Sequence, residues 1–505
     1  MGVEKMQLGS REEKRCEEVT WGGFAGELKK VGCLAAPMVV ATVSQYLLQV
    51  ASVVMVGHLG QVSLSAVAIA TALTNVTGFS LLVSLLLFSN SCHERLAGGL
   101  ETLCGQAYGA HQYGKLGIYT YSATISLALV CLPICLLWIF MDKLLILIGQ
   151  DPLIAHEARN YSIWLIPGLY GSAILKPLVR YLQTQSLIFP MLISSLIILG
   201  LHIPICWSLV FKLELGNVGA AVAISISSWL NVVLLVLYVK YSSACEKTRM
   251  SFSKDAFFVM GEFFHFAVPA AVMVCLKWWS CELLTLLSGL LPNPKLESSI
   301  LAICLTITTL HFTIPYGLGA VASTRVSNEL GAGNPQAARV AVWAVMFLAI
   351  IETTVVSTSL FCCRYVLGYA YSSDKQIVDN VAVMAPLICL SIVMDSIQGV
   401  LSGVARGSGW QHIGAYINLG AFYVVGLPVA IILGFVVHLK AKGLWIGIVT
   451  GSVVQSTLLS IITGLTNWKK QANKARERIF EGPSSVENRS ELTEPKRISD
   501  EVVTN

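Results

Sequence analysis

The chain has 505 residues, 55% of them hydrophobic and only 12% charged, with a mean hydropathy of +0.70 and a formal net charge of +5. Soluble domains carry about twice that share of charge. A soluble enzyme or a nucleic-acid-binding module is therefore excluded, and a polytopic helical membrane protein is implied.

Residues 1–32 form a polar tail, and Glu12, Glu13, Lys14 and Arg15 stand where a cleavable signal would need an apolar run. Stretches long enough to cross a ~30 Å hydrocarbon core follow at 33–56, 62–88, 117–141, 153–175, 187–210 and 217–239, predicting an N-lobe over 33–239. A linker over 240–261 leads to a C-lobe over 262–466, with spans at 262–288, 299–320, 338–361, 378–403, 412–436 and 443–466. No β-barrel alternation is present, so the spans are helices, which satisfy their own backbone hydrogen bonds in lipid. Residues 467–505, basic after Trp468 and then rich in Ser, Glu, Pro and Lys, are expected to be a disordered tail. Of the 34 Lys and Arg, 25 fall on the side of both tails and 8 on the opposite side. The positive-inside rule then predicts cytoplasmic N- and C-termini, and the +5 net charge mostly reflects this asymmetry.

The two halves repeat. Pro37 matches Pro269 and Gly57 matches Gly289 at an offset of 232. Gly109-Ala110 matches Gly331-Ala332 at 222, while Pro204 with Pro428 and Gly219 with Gly443 give 224. Parallel repeats of six spans imply two lobes related by an axis along the membrane normal. The drop in offset places about ten surplus residues between Gly57 and Gly109, and the oddest segment there is Ser84–Arg95, SLLLFSNSCHER. As helix these residues would add roughly 15 Å, so a bulge, a loop or a translated piece of intron is expected.

Ionisable groups inside spans are costly and mark function by default. Glu282 lies among leucines in span seven, and Asp395 has a similar setting in span ten. A carboxyl that gains and loses a proton in a water-accessible pocket is what a proton-coupled carrier requires. The alternative is an acid paired with a base to fix helix packing; Lys277, about one and a half turns before Glu282, is the expected partner there, whereas Asp395 has no base on its own helix. Glu352, solitary in span nine beside Thr353 and Thr354, suits packing or a secondary proton role equally. Glu101 is expected to shape a gate or cap a helix. Gln45 and Gln49 share a face of span one and either line a pocket or bond between helices. Trp278, Trp279, Tyr316 and Trp410 offer π faces to a flat cation or simply pack, and Gln398 is a further candidate for the cavity wall. The stretch GAHQYGKL (Gly109–Leu116) misses the phosphate-binding loop pattern because Leu116 cannot hold Mg²⁺. The 14 cysteines include no Cys-x-x-Cys pair and suit apolar packing, with no metal site or disulfide framework expected.

LETLCGQAYGA (Leu100–Ala110), ELLTLLSGLLPNP (Glu282–Pro294), ASTRVSNELGAGNP (Ala322–Pro335) and IQGVLSGVARGSGWQ (Ile397–Gln411) resemble the plant branch of the multidrug and toxic compound extrusion (MATE) family, over roughly residues 30 to 470. The resemblance implies an all-α, two-lobed transporter of twelve transmembrane helices, with no enzymatic activity and no cofactor beyond protons as coupling ion. It further implies proton-coupled export of organic, often cationic, compounds by alternating access, with coupling carboxylates at the positions of Glu282 and Asp395. Many relatives outside plants carry an Asp in span one, which this chain lacks between Val43 and Met55. A plasma or vacuolar membrane location is expected, with small organic substrates, protons and the bilayer as partners and a monomer as working unit. Organic-anion efflux, which needs basic pore residues, and lipid flipping, which needs a basic lateral cavity, are the alternatives.

Overall fold

The computed structural model describes residues 21–59, 67, 95–147, 149, 151–249, 251–371 and 374–481. The expected second span at 62–88 and the segment Ser84–Arg95 lie outside the described residues, apart from Val67 and Arg95.

The architecture is all-α. In chain order the main helices are α1 (Trp21–Gly57), α2 (Gly98–Gly109), α3 (Tyr113–Ile139), α4 (Pro152–Thr184), α5 (Ile188–Trp207), α6 (Gly216–Tyr241), α7 (Met260–Ser288), α8 (Pro294–Gly331), α9 (Pro335–Cys362), α10 (Lys375–Ser408), α11 (Gln411–Asn418), α12 (Lys440–Leu465) and α13 (Trp468–Glu481). Helical turns carry α5 on to Lys212 and α11 on to Val436. Among the described residues 11 helices, α1 and α3–α12 with these extensions, are long and apolar enough to cross a membrane. Asp151 caps α4 by accepting from the Leu153 and Ile154 amides, with Pro152 in the first turn, and Asp374 caps α10 through the Gln376 amide.

Several helices overrun the bilayer. The 38 residues of α8 span about 57 Å, so the polar stretch Ser323–Asn328 projects beyond the apolar span, and Ser323, Thr324, Ser327 and Asn328 are buried there. Helix α1 begins at Trp21, inside the expected N-terminal tail, and its Glu27 accepts from Arg325 Nε at 2.7 Å. The expectation of a disordered tail from residue 467 is likewise corrected: residues 468–481 form α13, which buries Ala472, Ala475 and Ile479 against α8, α9 and α2. That spacing puts the three on one helical face, a stripe hidden in the composition by five Lys and Arg. Its Arg478 reaches between the lobes, donating to Gln106 Oε1 on α2 while its guanidinium lies 4.8 Å from the Phe266 ring centroid on α7.

The repeat is visible as geometry. Residues Ser208–Lys212 and Ile432–Val436 both adopt the wide π-helical turn, at the offset of 224 seen in the sequence. Each is packed by a glycine of the following helix, Gly219 against Leu209 and Gly443 against Leu433.

The lobes meet through equivalent helices, α1 and α2 against α7 and α8, at the end of the bundle bearing both α13 and the start of α1. Glycines permit the contact. A Cβ at Gly99 would stand 2.7 Å from the Ala267 nitrogen, and one at Gly109 or Gly331 would overlap the facing Asn328 or Gln106 carbonyl. Inside the C-lobe, a Cβ at Gly403 would overlap the Gly319 carbonyl where α8 crosses α10. Replacing Gly403 by Ala is expected to cost about 1–3 kcal/mol through overpacking, read as a lower midpoint of thermal unfolding in detergent. Gly200→Ala, whose Cβ would meet nothing within 4 Å, should leave that midpoint in place.

Candidate coupling site and inter-lobe seal

The first polar cluster lies in the C-lobe at mid-height. Lys277 on α7 places Nζ 2.7 Å from Asp395 Oδ1 on α10, with both side chains 12% exposed. The ammonium also donates to Gln398 Oε1 at 3.0 Å and lies 4.5 Å from the Phe312 ring centroid on α8. Gln398 is oriented by its own donation to Ser402 Oγ at 2.8 Å. Three groups thus surround the charge and offset its removal from water. The expected Lys277–Glu282 pair is therefore corrected. Five residues of α-helix turn Glu282 about 140° away from Lys277, and the lysine reaches across to the neighbouring helix instead. Glu282 is half-buried and forms no hydrogen bond or ion pair with any described residue.

Glu352 is not solitary. Its Oε1 lies 2.8 Å from His311 Nε2 on α8, and its Oε2 accepts from Ser396 Oγ at 3.2 Å. Ser396 follows Asp395, so α10 engages two acid–base pairs with consecutive residues. Trp279 is half-buried on α7, while its neighbour Trp278 meets Phe312 edge-on at 6.1 Å. Trp410 is buried core. Gln45 is half-buried, Gln49 is exposed, and neither bonds to a described residue. The N-lobe's own polar centre is His202, buried between Ser52 and Ser227 at 2.8 Å each. Among the described residues no group of three or more His, Cys, Asp or Glu could hold a metal ion.

The second cluster seals the lobes together. Glu101 on α2 is fully buried, with Oε1 2.9 Å from Arg180 Nη1 on α4 and Oε2 2.7 Å from Arg406 Nε on α10. Arg180 also donates to the Tyr316 hydroxyl on α8 at 2.9 Å and to Gln183 Oε1. Gln183 in turn donates to the Ala320 carbonyl at 3.1 Å and to Thr324 Oγ1 at 3.2 Å. Gln106 Nε2 donates to the Gly407 carbonyl and Asn328 Nδ2 to the Thr184 carbonyl, at 3.1 and 3.0 Å. Each of these last bonds crosses from one lobe to the other. Glu101 thus sits at the centre of an ion triad that joins the two lobes, in the first turn of α2.

The MatE family profile matches residues 37–208 and 269–432, one match in each half. The chain belongs to the MATE family. It is 53% identical over 471 residues to Protein DETOXIFICATION 12 of Arabidopsis thaliana, covering 92% of this chain and 96% of that one. Protein DETOXIFICATION 14 of the same plant is 52% identical over 469 residues, 93% of this chain and 94% of the relative. Among solved structures it resembles the eukaryotic MATE transporter AtDTX14, with a TM-score of 0.84 and 52% identity over 90% of this chain and 100% of that one. The bent form of the Vibrio cholerae MATE transporter VcmN shares the fold, at a TM-score of 0.75 and 16% identity over 90% of this chain and 99% of that one. The protein is a membrane transporter and not an enzyme.

In this MATE transporter the geometry adds residues that the sequence did not single out. Arg180 and Arg406 stand near the ends of their apolar runs, so they counted as loop charges. His311 and Phe312 carry no charge in a composition count, although they sit in an apolar span. The triad generates a prediction. Glu101→Gln leaves two buried guanidiniums without a carboxylate and should cost about 3–5 kcal/mol. The double replacement Glu101→Gln with Arg406→Met should recover part of that loss in thermal unfolding, because one of the stranded charges is then gone.

Proposed function

We propose that this transporter is a proton-coupled antiporter that exports organic, often cationic, compounds from the cytosol by alternating access, with Asp395 and Glu282 as coupling carboxylates. The observation that carries it is the buried Lys277–Asp395 pair at mid-height of the C-lobe. A proton on Asp395 removes the counter-charge of Lys277, so the site's electrostatics change in one step.

The charges divide the work. Lys277 and Asp395 neutralise one another, which leaves Glu282, unpaired among the described residues, as the excess negative charge facing a cation. With the lobes open to the cytosol, ionised Glu282 attracts substrate. After the lobes rock, protons from the acidic apoplast or vacuolar lumen neutralise the carboxylates and release it. Linkage requires that protons and substrate each lower the other's affinity. Glu352, tied to His311 and Ser396, serves as a secondary proton site. Both termini lie in the cytosol, and the Glu101 gate closes the cytosolic side of a plasma or vacuolar membrane protein acting as a monomer. An anion pathway would need a free basic group; Lys277 is already held by Asp395 and Gln398.

Uptake of a fluorescent organic cation into inside-out vesicles, driven by an acid interior, tests this. Uptake should collapse with a protonophore and be lost in Asp395→Asn. Glu282→Gln should weaken a monovalent cation by about five- to tenfold, the loss of roughly 1 kcal/mol of screened attraction. Proton-independent passage of citrate in place of the cation would overturn the proposal.

A further inference from the structure

The two polar clusters are joined. Phe312 and Tyr316 lie one turn apart on the same face of α8, with ring centroids 6.4 Å apart. Phe312 presents its face to Lys277 Nζ at 4.5 Å, and Lys277 holds Asp395 at 2.7 Å. At the other end Tyr316 receives Arg180 at 2.9 Å, and Arg180 holds Glu101 at 2.9 Å. An unbroken run of contacts therefore leads from the C-lobe carboxylate to the inter-lobe gate. Between the two residues in sequence stands Pro315, packed against Gly399 of α10. Proline has no N–H to bond the carbonyl four residues back, that of His311, and such positions are where helices bend. The stretch is also the α8 surface on which the lobes meet. Thr42 of α1 donates to the Thr313 carbonyl at 3.3 Å, and a Cβ on Gly317 would stand 3.0 Å from Val39 Cγ2.

We propose that Phe312 and Tyr316 are positioning residues that convey the protonation state of Asp395 to the Glu101–Arg180–Arg406 gate by bending α8 at Pro315. The proposal rests on Asp395 being the coupling acid. When Asp395 takes a proton, Lys277 keeps its charge but loses its counter-ion, and the neutral carboxyl, the Gln398 carbonyl and the Phe312 face are left to hold it. The ammonium then shifts with Phe312, the Pro315 bend changes, and the Tyr316 hydroxyl leaves Arg180. Arg180 loses one of its partners and the gate loosens. The titratable groups around Asp395 are Lys277 and Cys281 from α7, Glu352 from α9 through Ser396, and His311 from α8 through Glu352. From α12 comes only the uncharged Ser456, which donates to the Met394 carbonyl.

Gate opening can be read by labelling at position 327. Ser327 on α8 is fully buried against Gly105 of α2, so Ser327→Cys becomes reactive only when the lobes part. In inside-out vesicles an impermeant maleimide is applied and its rate at position 327 is followed by peptide mass mapping. Asp395→Asn, which mimics the protonated acid, should speed labelling by about fivefold or more, the span of ordinary allosteric coupling. In a Tyr316→Phe background, or separately with Phe312→Leu, the same replacement should change the rate by less than about twofold, the limit of independent sites. The link is overturned if Asp395→Asn leaves labelling unchanged, or if its effect persists in full in both backgrounds. Proton-driven uptake is measured on the same vesicles. If it survives Asp395→Asn, the antiport proposal and the link fall together; if it is lost while labelling effects stay independent, the link alone falls.

Discussion

One carboxylate fixes how the two halves of this molecule sit against each other. Glu101 has no exposed surface and lies between two guanidiniums, one from each lobe. A buried ion triad of this kind is weak evidence of stability, because removing three charges from water costs several kcal/mol per ion. What it provides is selectivity of geometry: only one relative placement of α2, α4 and α10 satisfies both arginines at once. That placement depends on the glycine contacts around it, since water entering beside Gly105 or Gly331 would hydrate the charges and dissolve the preference. Arg478 docks on the same surface, so α13 follows the lobes' arrangement.

The C-lobe cluster obeys the same physics at a different depth. Asp395 and Arg406 are eleven residues apart on α10, about 16 Å along the axis. A charge at mid-bilayer is costly unless it is partnered; Asp395 is held by Lys277, whereas Glu282 bonds to no described residue. Their different fates follow from helix phase alone, since one lies across from Lys277 and the other points away from it. Consecutive Asp395 and Ser396 then bring α7, α8 and α9 to bear on a single turn of α10.

The fold was largely legible in the sequence because hydrophobic length is a strong signal and the repeat left paired Pro and Gly residues. Its failures have physical causes. Charges near span ends look like loop charges until helix overrun is known, which hid Arg180, Arg406 and Arg325. Helix α13 looked like a tail because its basic face dominates composition, while its apolar stripe is only Ala472, Ala475 and Ile479. At the C-lobe cluster the acids were found by the cost of burying them, but their partners were not. Lys277 was assigned along its own helix, where the phase is wrong. His311 went unnoticed because histidine is left out of the formal charge count.

The paired π turns at Ser208–Lys212 and Ile432–Val436 bear on ancestry. Such a turn corresponds to one residue inserted into a helix, and insertions of this kind are rare and tied to use. Two separate insertions at the same register, each met by a glycine in the next helix, would require four coordinated changes. The economical account is a single six-helix precursor that already carried the widened turn before the gene doubled. The halves have since parted company in chemistry, with acid–base pairs concentrated in one and a histidine–serine centre in the other, while the widened turn is present in both.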